Sequence, residues 1–228
     1  GDTVTGQLTV DTATSANLNV DSGIYGGIQF KINGTNSGYI TSYSDGAGTE
    51  YMYMGGADKV FIHTGSNHGL TNGTTRIEIN SAGQVTMPNQ PSFLVQGNFG
   101  WLDTGSSYTE ISPWYTSVTS NASCFHNDGS HFNLSNGRFT APVAGKYQFN
   151  VSAYVNNTGD AAHGGRLYVN GSVVGDTLLY YRNTDSGYPD NTMSASYVLK
   201  LAVNDYVSYY HTEDIYGYHS HFSGFLVG

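Results

Sequence analysis

Between Lys146 and Val155 apolar and polar side chains alternate without a break, and this stretch constrains the fold more than any other. Tyr147, Phe149, Val151, Ala153 and Val155 form one row; Lys146, Gln148, Asn150, Ser152 and Tyr154 form the other. Successive side chains of an extended strand point to opposite faces, so the pattern predicts a strand with one buried face and one wet face. Pro142 and Gly145 stand at its entrance, where a bend or a missing N–H interrupts no ladder. Such a strand is long enough to cross a whole domain.

The composition agrees with a chain made of strands and turns. Thirty glycines and nineteen tyrosines, with many Thr, Ser and Asn, favour them over helices. The 228 residues suffice for one large β domain or two small ones. Eight Lys and Arg oppose seventeen Asp and Glu, a net charge of −9, and no cations cluster, which argues against a nucleic-acid partner. No apolar run approaches the roughly 20 residues that span a bilayer, so membrane insertion is not expected. Cys124 is the single cysteine, which excludes an intrachain disulfide and points to folding in a reducing cytoplasm. With Gly1 at its start, and neither an initiator Met nor a signal peptide, the chain is expected to be a fragment of a longer one.

Residues 1–90 differ in texture from the rest. Short strands are predicted at Gln7–Val10, Asn17–Val20, Gly27–Ile32, Gly38–Tyr43, Glu50–Met54, Lys59–His63, Arg76–Ile79 and Gln84–Met87. Turn signals such as Asn33-Gly34, Asp45-Gly46 and Asn72-Gly73 lie between them. Each strand offers few apolar side chains, too few to offset a chain entropy of roughly 1–2 kcal/mol per residue. Association of identical chains around a shared core is the physical remedy. Residues 1–90 are therefore expected to be a β-rich shaft that folds as an oligomer. The segment Gly1-Asp2-Thr3-Val4-Thr5-Gly6-Gln7-Leu8-Thr9-Val10 resembles a repeat of bacteriophage tail fibres, and Thr75–Met87 is similar to a segment that often ends such shafts.

Pro88 and Pro91 mark a boundary. Beyond it, strands are predicted at Ser92–Gln96, Ile111–Tyr115, Ser123–His126, Arg138–Thr140, Gly165–Val169, Val173–Leu179, Met193–Ala202, Asp205–His211 and Ser220–Val227, besides the long one. No helical periodicity appears, so residues 91–228 read as a sandwich or jelly roll. Ordered blocks in this region resemble the complement C1q globular-head family, which shares its fold with tumour necrosis factor. They are Pro91-Ser92-Phe93-Leu94-Val95; Phe132 with Asn136-Gly137-Arg138-Phe139-Thr140-Ala141-Pro142 and Gly145-Lys146-Tyr147-Gln148-Phe149; Leu167–Gly171; Val198–Leu201 with Asp205-Tyr206-Val207; and Phe222–Leu226. The resemblance implies an all-β, ten-stranded jelly roll that assembles as a homotrimer. The family's collagen-like stalk is absent, and the fibre-like shaft stands in its place. Complement activity does not follow from the fold.

Consecutive antiparallel strands send alternate loops to the same end. Counting back from the last strand, loops at about 156–164, 180–192 and 211–219 are expected to open away from the shaft. The candidate receptor-binding residues on them are His163, Tyr180, Tyr181, Arg182, Asp185, Tyr188, Asp190, His211, Asp214, Tyr216 and Tyr218. Tyrosine supplies rigid contact area with a polar tip, which suits a host cell-surface glycan or protein receptor; several of these rings are equally suited to capping the domain's own core. His219 and His221 fall on one strand face, and in a trimer they could surround the axis and hold a metal; the alternative is two hydrogen-bonded histidines near a loop. No other cofactor is expected. Serines, histidines and aspartates are plentiful, but no Gly-x-Ser-x-Gly elbow occurs and no enzyme is expected. The function expected is attachment of a virion to its host by the distal part of a tail fibre, assembled in the host cytoplasm. The alternative is an extracellular trimerising scaffold or adhesion module of a cellular organism.

Overall fold

The computed structural model describes residues 25–32, 35–44, 50–56, 58–64, 74–116, 125–156, 162–175, 179–182 and 190–228. The predicted strands at Gln7–Val10 and Asn17–Val20, and the tail-fibre-like segment at Gly1–Val10, lie outside these residues. The described elements are all strands. The chain divides into two compact units, one ending at Pro88 and the other starting at Asn89.

The first unit holds two antiparallel three-stranded sheets. One is a meander of β1 (Tyr25–Ile32), β2 (Thr35–Ser44) and β3 (Glu50–Gly56). The other contains β4 (Val60–Thr64), β5 (Thr74–Ile79) and β6 (Val85–Thr86). The β5–β6 turn is organised by Asn80, whose side-chain oxygen accepts the N–H groups of Ala82 and Gln84 at 3.0 Å each. Gly83 takes the left-handed conformation this turn needs, at φ 77°. Lys59, just before β4, pairs with Glu78 of β5 at 2.6 Å. Among the described side chains from Ile28 to Gln90 none is buried. Met52 is 73 % exposed and Met54 58 %; both lie on the edge strand β3, paired with Ser42 and Ile40 of β2.

The second unit is a two-layer sandwich. Its strands are β7 (Ser92–Gly97), β8 (Trp101–Asp103), β9 (Thr109–Glu110), β10 (Trp114–Tyr115), β11 (His126–Asp128), β12 (Phe132–Asn133), β13 (Arg138–Thr140), β14 (Gly145–Asn156), β15 (Ala162–Val169), β16 (Ser172–Val173), β17 (Leu179–Arg182), β18 (Asp190–Leu201), β19 (Tyr206–Thr212) and β20 (Asp214–Leu226). One sheet runs β10-β7-β20-β14-β18, with β11 on β7 and β8 on β20. The other runs β12-β13-β19-β15-β16, with β17 on β15 and β9 on β19. The order interleaves early and late strands, as a jelly roll requires. β14 lies between β18 and β20, and its apolar row is buried along its whole length.

Aromatic rings from both layers meet over that row. Phe93 of β7 stacks on Phe132 of β12 at 4.5 Å and on Phe139 of β13 at 5.2 Å, and meets Phe222 of β20 edge-on at 5.2 Å. Space for these rings comes from Gly224, where an added Cβ would lie 2.7 Å from both Phe93 and Phe149.

Three expectations require correction. The predicted loop at about 211–219 is a one-residue turn: Glu213, at φ 61°, joins β19 directly to β20, and the last strand starts at Asp214. The predicted strand Val173–Leu179 is instead two short strands, β16 and β17, that pair with different parts of β15, with Gly175 turning between them at φ 62°. The strand predicted from Ile111 begins at Trp114, because Ile111 is a core residue whose N–H donates to the Tyr209 carbonyl and so continues the β9–β19 pairing in the other sheet.

Truncating Phe93 to alanine removes the ring that links both sheets. Loss of about 3–5 kcal/mol is expected, read as a lower urea midpoint with unchanged slope.

Candidate functional site

The residues predicted to contact a receptor separate into three groups. Tyr180 and Arg182 are exposed on β17, Tyr180 at 66 %, and Tyr181 lies between them in the strand. Asp190 opens β18 opposite Asn156. Asp185 and Tyr188 lie outside the described residues. His163 and His211 form the second group, and their placement is a correction, because both are core residues. They are buried on β15 and β19 with ring centroids 6.1 Å apart. Asp214, Tyr216 and Tyr218 form the third group, at the start of β20, next to His219 of the predicted metal pair.

The buried pair has a defined electrostatic state. The Tyr209 hydroxyl and His211 Nδ1 share a hydrogen bond of 2.7 Å. Burial, reinforced by the neighbouring His163, pushes the His211 imidazole down to about 3, so it is neutral at physiological pH. Close approach of the strands depends on two glycines of β15. A Cβ at Gly164 would meet the Tyr108 hydroxyl, and one at Gly165 the Tyr209 hydroxyl. Burial likewise raises the Tyr209 phenol well above its ordinary value.

The third group belongs to an aromatic corner that the sequence did not reveal. β14 and β20 pair Ser152 with His221 and then Tyr154 with Tyr216, so residues 217–220 bulge out opposite Ala153. The Ser220 hydroxyl fastens the bulge, accepting the Tyr154 N–H at 2.9 Å and donating to the Tyr216 carbonyl at 2.7 Å. The Gln96 side-chain amide donates to the Tyr218 carbonyl. Gly97 and Gly217 permit the close packing beneath, since a Cβ on Gly97 would lie 2.6 Å from the Gly217 Cα. The bulge turns Tyr216, Tyr218 and His219 into one cluster with Trp101 of β8 and Tyr154 of β14. Tyr216 is its hub, with ring centroids 5.0 Å from Trp101, 4.9 Å from His219 and 5.7 Å from Tyr218.

Beside the corner, the outer row of the same sheet lines a shallow groove of about 490 Å³. Asn150, Ser152, Ser194, Ser196, His221 and Ser223 form it. Its floor is pre-ordered: Ser196 donates to the Asn150 side-chain oxygen at 2.7 Å, and Gln148 donates to both residues at 3.0–3.1 Å. His221 stacks on Phe125 at 5.7 Å, and burial followed by the nearby His219 lowers its imidazole. His219 instead packs edge-on against Tyr154 at 5.1 Å. The two histidines have different neighbours, and among the described residues no three His, Cys, Asp or Glu side chains converge on a metal position.

The opposite sheet carries a second polar-aromatic surface. Arg138 grips Glu110 with two hydrogen bonds, of 2.7 and 2.8 Å, and lies 4.6 Å from the Tyr206 ring centroid. The Arg138 guanidinium holds the Glu110 carboxyl below its usual range. Tyr168 and Tyr210 stack beside it at 3.8 Å. These contacts are internal to one chain and read as reinforcement of the β13–β19–β15 surface.

A family model for the C1q domain matches residues 109–227. No curated protein matches the chain. Among solved structures, the globular domain of zebrafish complement 1qA protein is 20 % identical with a TM-score of 0.44, covering 61 % of this chain and 98 % of its own. The Eiger TNF from S. frugiperda is 16 % identical with a TM-score of 0.44, covering 61 % of this chain and 94 % of its own.

A pH dependence follows from His211. Its folded value of about 3 lies below the ordinary 6.5, so between these values the unfolded chain binds a proton that the folded chain refuses. The associated stability is complete above 6.5 and is lost as pH falls towards 3, at no more than about 1.4 kcal/mol per pH unit. Thermal unfolding between pH 7 and pH 4 is expected to show a falling midpoint, and His211→Phe should flatten the slope.

Proposed function

Because the chain belongs to the C1q domain family, we propose that residues 91–228 are a trimeric binding head carried by a fibre shaft formed by residues 1–90. In this reading the two make the distal part of a bacteriophage tail fibre that attaches the virion to its host cell. The observation that carries the proposal is that none of the first unit's described side chains is buried. Its described side chains are all at least partly open, with Met52, Met54, Phe61 and Ile62 each close to half exposed or more. Strands of that kind gain too little burial within one chain to balance ordering, and identical neighbours supply the rest. Support for the fibre context comes from the Gly1–Val10 segment and from Thr75–Met87, which resemble fibre-shaft sequences.

The head contributes a matching surface. On the sheet containing β14, Val198 is 56 % exposed, Phe225 41 % and Trp101 47 %. Apolar surface of this extent on a sheet flanking a polar groove favours contact with neighbouring copies and with a ligand. Three copies present three equivalent sites, so individually weak binding becomes firm on a repetitive cell surface. The head acts in this reading as a binding module, and its partner is a host glycan or protein.

Two measurements test the proposal. Sedimentation at micromolar concentration should give three times the 24.5 kDa chain mass, and a folded monomer removes its physical basis. The double variant Tyr180→Ser with Tyr218→Ser changes two exposed rings, and it should lower adsorption to host cells roughly tenfold or more with the trimer intact. Unchanged adsorption would favour a scaffold whose head only holds three chains together.

A further inference from the structure

The two tryptophans of the chain have opposite surroundings. Trp114 is a core residue at 2 % exposure, and its indole N–H donates to the Ile111 carbonyl at 2.7 Å. Trp101 leaves 47 % of its surface open. It is not a loose side chain on a loop. β8 is hydrogen-bonded to β20 with Trp101 opposite Tyr216, and the indole is braced by Tyr216 at 5.0 Å and Tyr154 at 5.9 Å. Exposing so large a ring forgoes the stabilisation that its burial would give. The bracing also fixes the ring in place before any ligand arrives, so little side-chain entropy remains to be lost on binding.

The polar groups at the rim define what the ring suits. Two residues along from Trp101, Asp103 stands opposite Asp214 at the β8–β20 edge. The Tyr218 ring is 43 % exposed on the other side of Tyr216. Carboxylates accept hydrogen bonds, and a tyrosine hydroxyl both donates and accepts. A sugar ring offers the complement: a face of C–H groups for the indole and an edge of hydroxyls for the carboxylates. Anionic sugars would meet Asp103 and Asp214 with like charge, on a chain whose net charge is already −9. We propose that Trp101, Tyr218, Asp103 and Asp214 form a subsite for a neutral glycan ring, stacked on Trp101 and held at its hydroxyl edge by the two aspartates. This rests on the reading of the head as a receptor-binding unit and names the ligand class it takes.

Because Trp114 is buried, fluorescence that iodide can quench reports on Trp101. The full chain is titrated with neutral oligosaccharides (maltohexaose, chitotetraose, mannan fragments and galacto-oligosaccharide), with sialyllactose and with spermidine. Sedimentation of the same samples records the oligomer independently, so loss of the trimer and loss of glycan binding are told apart. At least one neutral oligosaccharide is expected to shield Trp101 from iodide. Trp101→Ala should abolish that response and weaken retention on the immobilised sugar about tenfold, and Asp103→Asn should weaken it while leaving the oligomer unchanged. Absence of shielding by every neutral sugar overturns the proposal. So does shielding by sialyllactose or spermidine alone, which would assign the platform to a charged ligand. A Trp101 already shielded in the trimer, and quenchable only after dissociation, would make a second copy its occupant and overturn it as well.

Discussion

Burial of one row of β14 is the constraint on which the second unit depends. Tyr147, Phe149, Val151, Ala153 and Val155 are each at most 4 % exposed, and they span the sandwich from the entrance at Gly145 to its far end. Once that row points inward, Lys146, Gln148, Asn150, Ser152 and Tyr154 must point outward. The outward row is where the groove floor and one wall of the aromatic corner arise. The same strand therefore sets the core and positions the surface. β20 follows it in register until Ser152, then adds a bulge at 217–220, and Tyr216 and His219 pack against Tyr154. Core and candidate site are two faces of one pairing.

Much of the fold was legible in the sequence because half-buried strands write their geometry as a period of two. β13 has the boundaries expected of it, and β14, β5 and β7 extend the predicted strands by only one or two residues. The C1q-like blocks placed the strands of the second unit in order, and the family match over 109–227 agrees with that reading. The candidate site was less legible. His163 and His211 look like polar contact residues in a string, and only the packing of Gly164 and Gly165 against Tyr108 and Tyr209 reveals that they lie inside. Residues 211–219 look like a loop because the bulge breaks the alternation that marks a strand. Trp101 escaped notice because β8 is three residues long, too short for any periodic signal.

The two units follow opposite physical strategies. In the second, rings from both sheets pack around Phe93, and a single chain fills its own interior. In the first, hydrogen-bonded ladders are formed, but every described side chain on them remains at least partly open. Backbone pairing alone supplies little net stability, because every hydrogen bond gained replaces one with water. A unit built this way requires surfaces from elsewhere, and the many exposed rings and methionines show where they would be received. This contrast is the physical basis for the proposal that the first unit is stable only as an assembly.

Hydrogen exchange across a dilution series tests that claim most directly. At micromolar concentration the amides of β1 to β6 are expected to be protected together with those of β14. On dilution below the dissociation constant, protection of β1 to β6 should vanish while β14 keeps a substantial part of its own. Protection of β1 to β6 that is the same at every concentration would contradict the account, because it would mean that the first unit is stable within one chain.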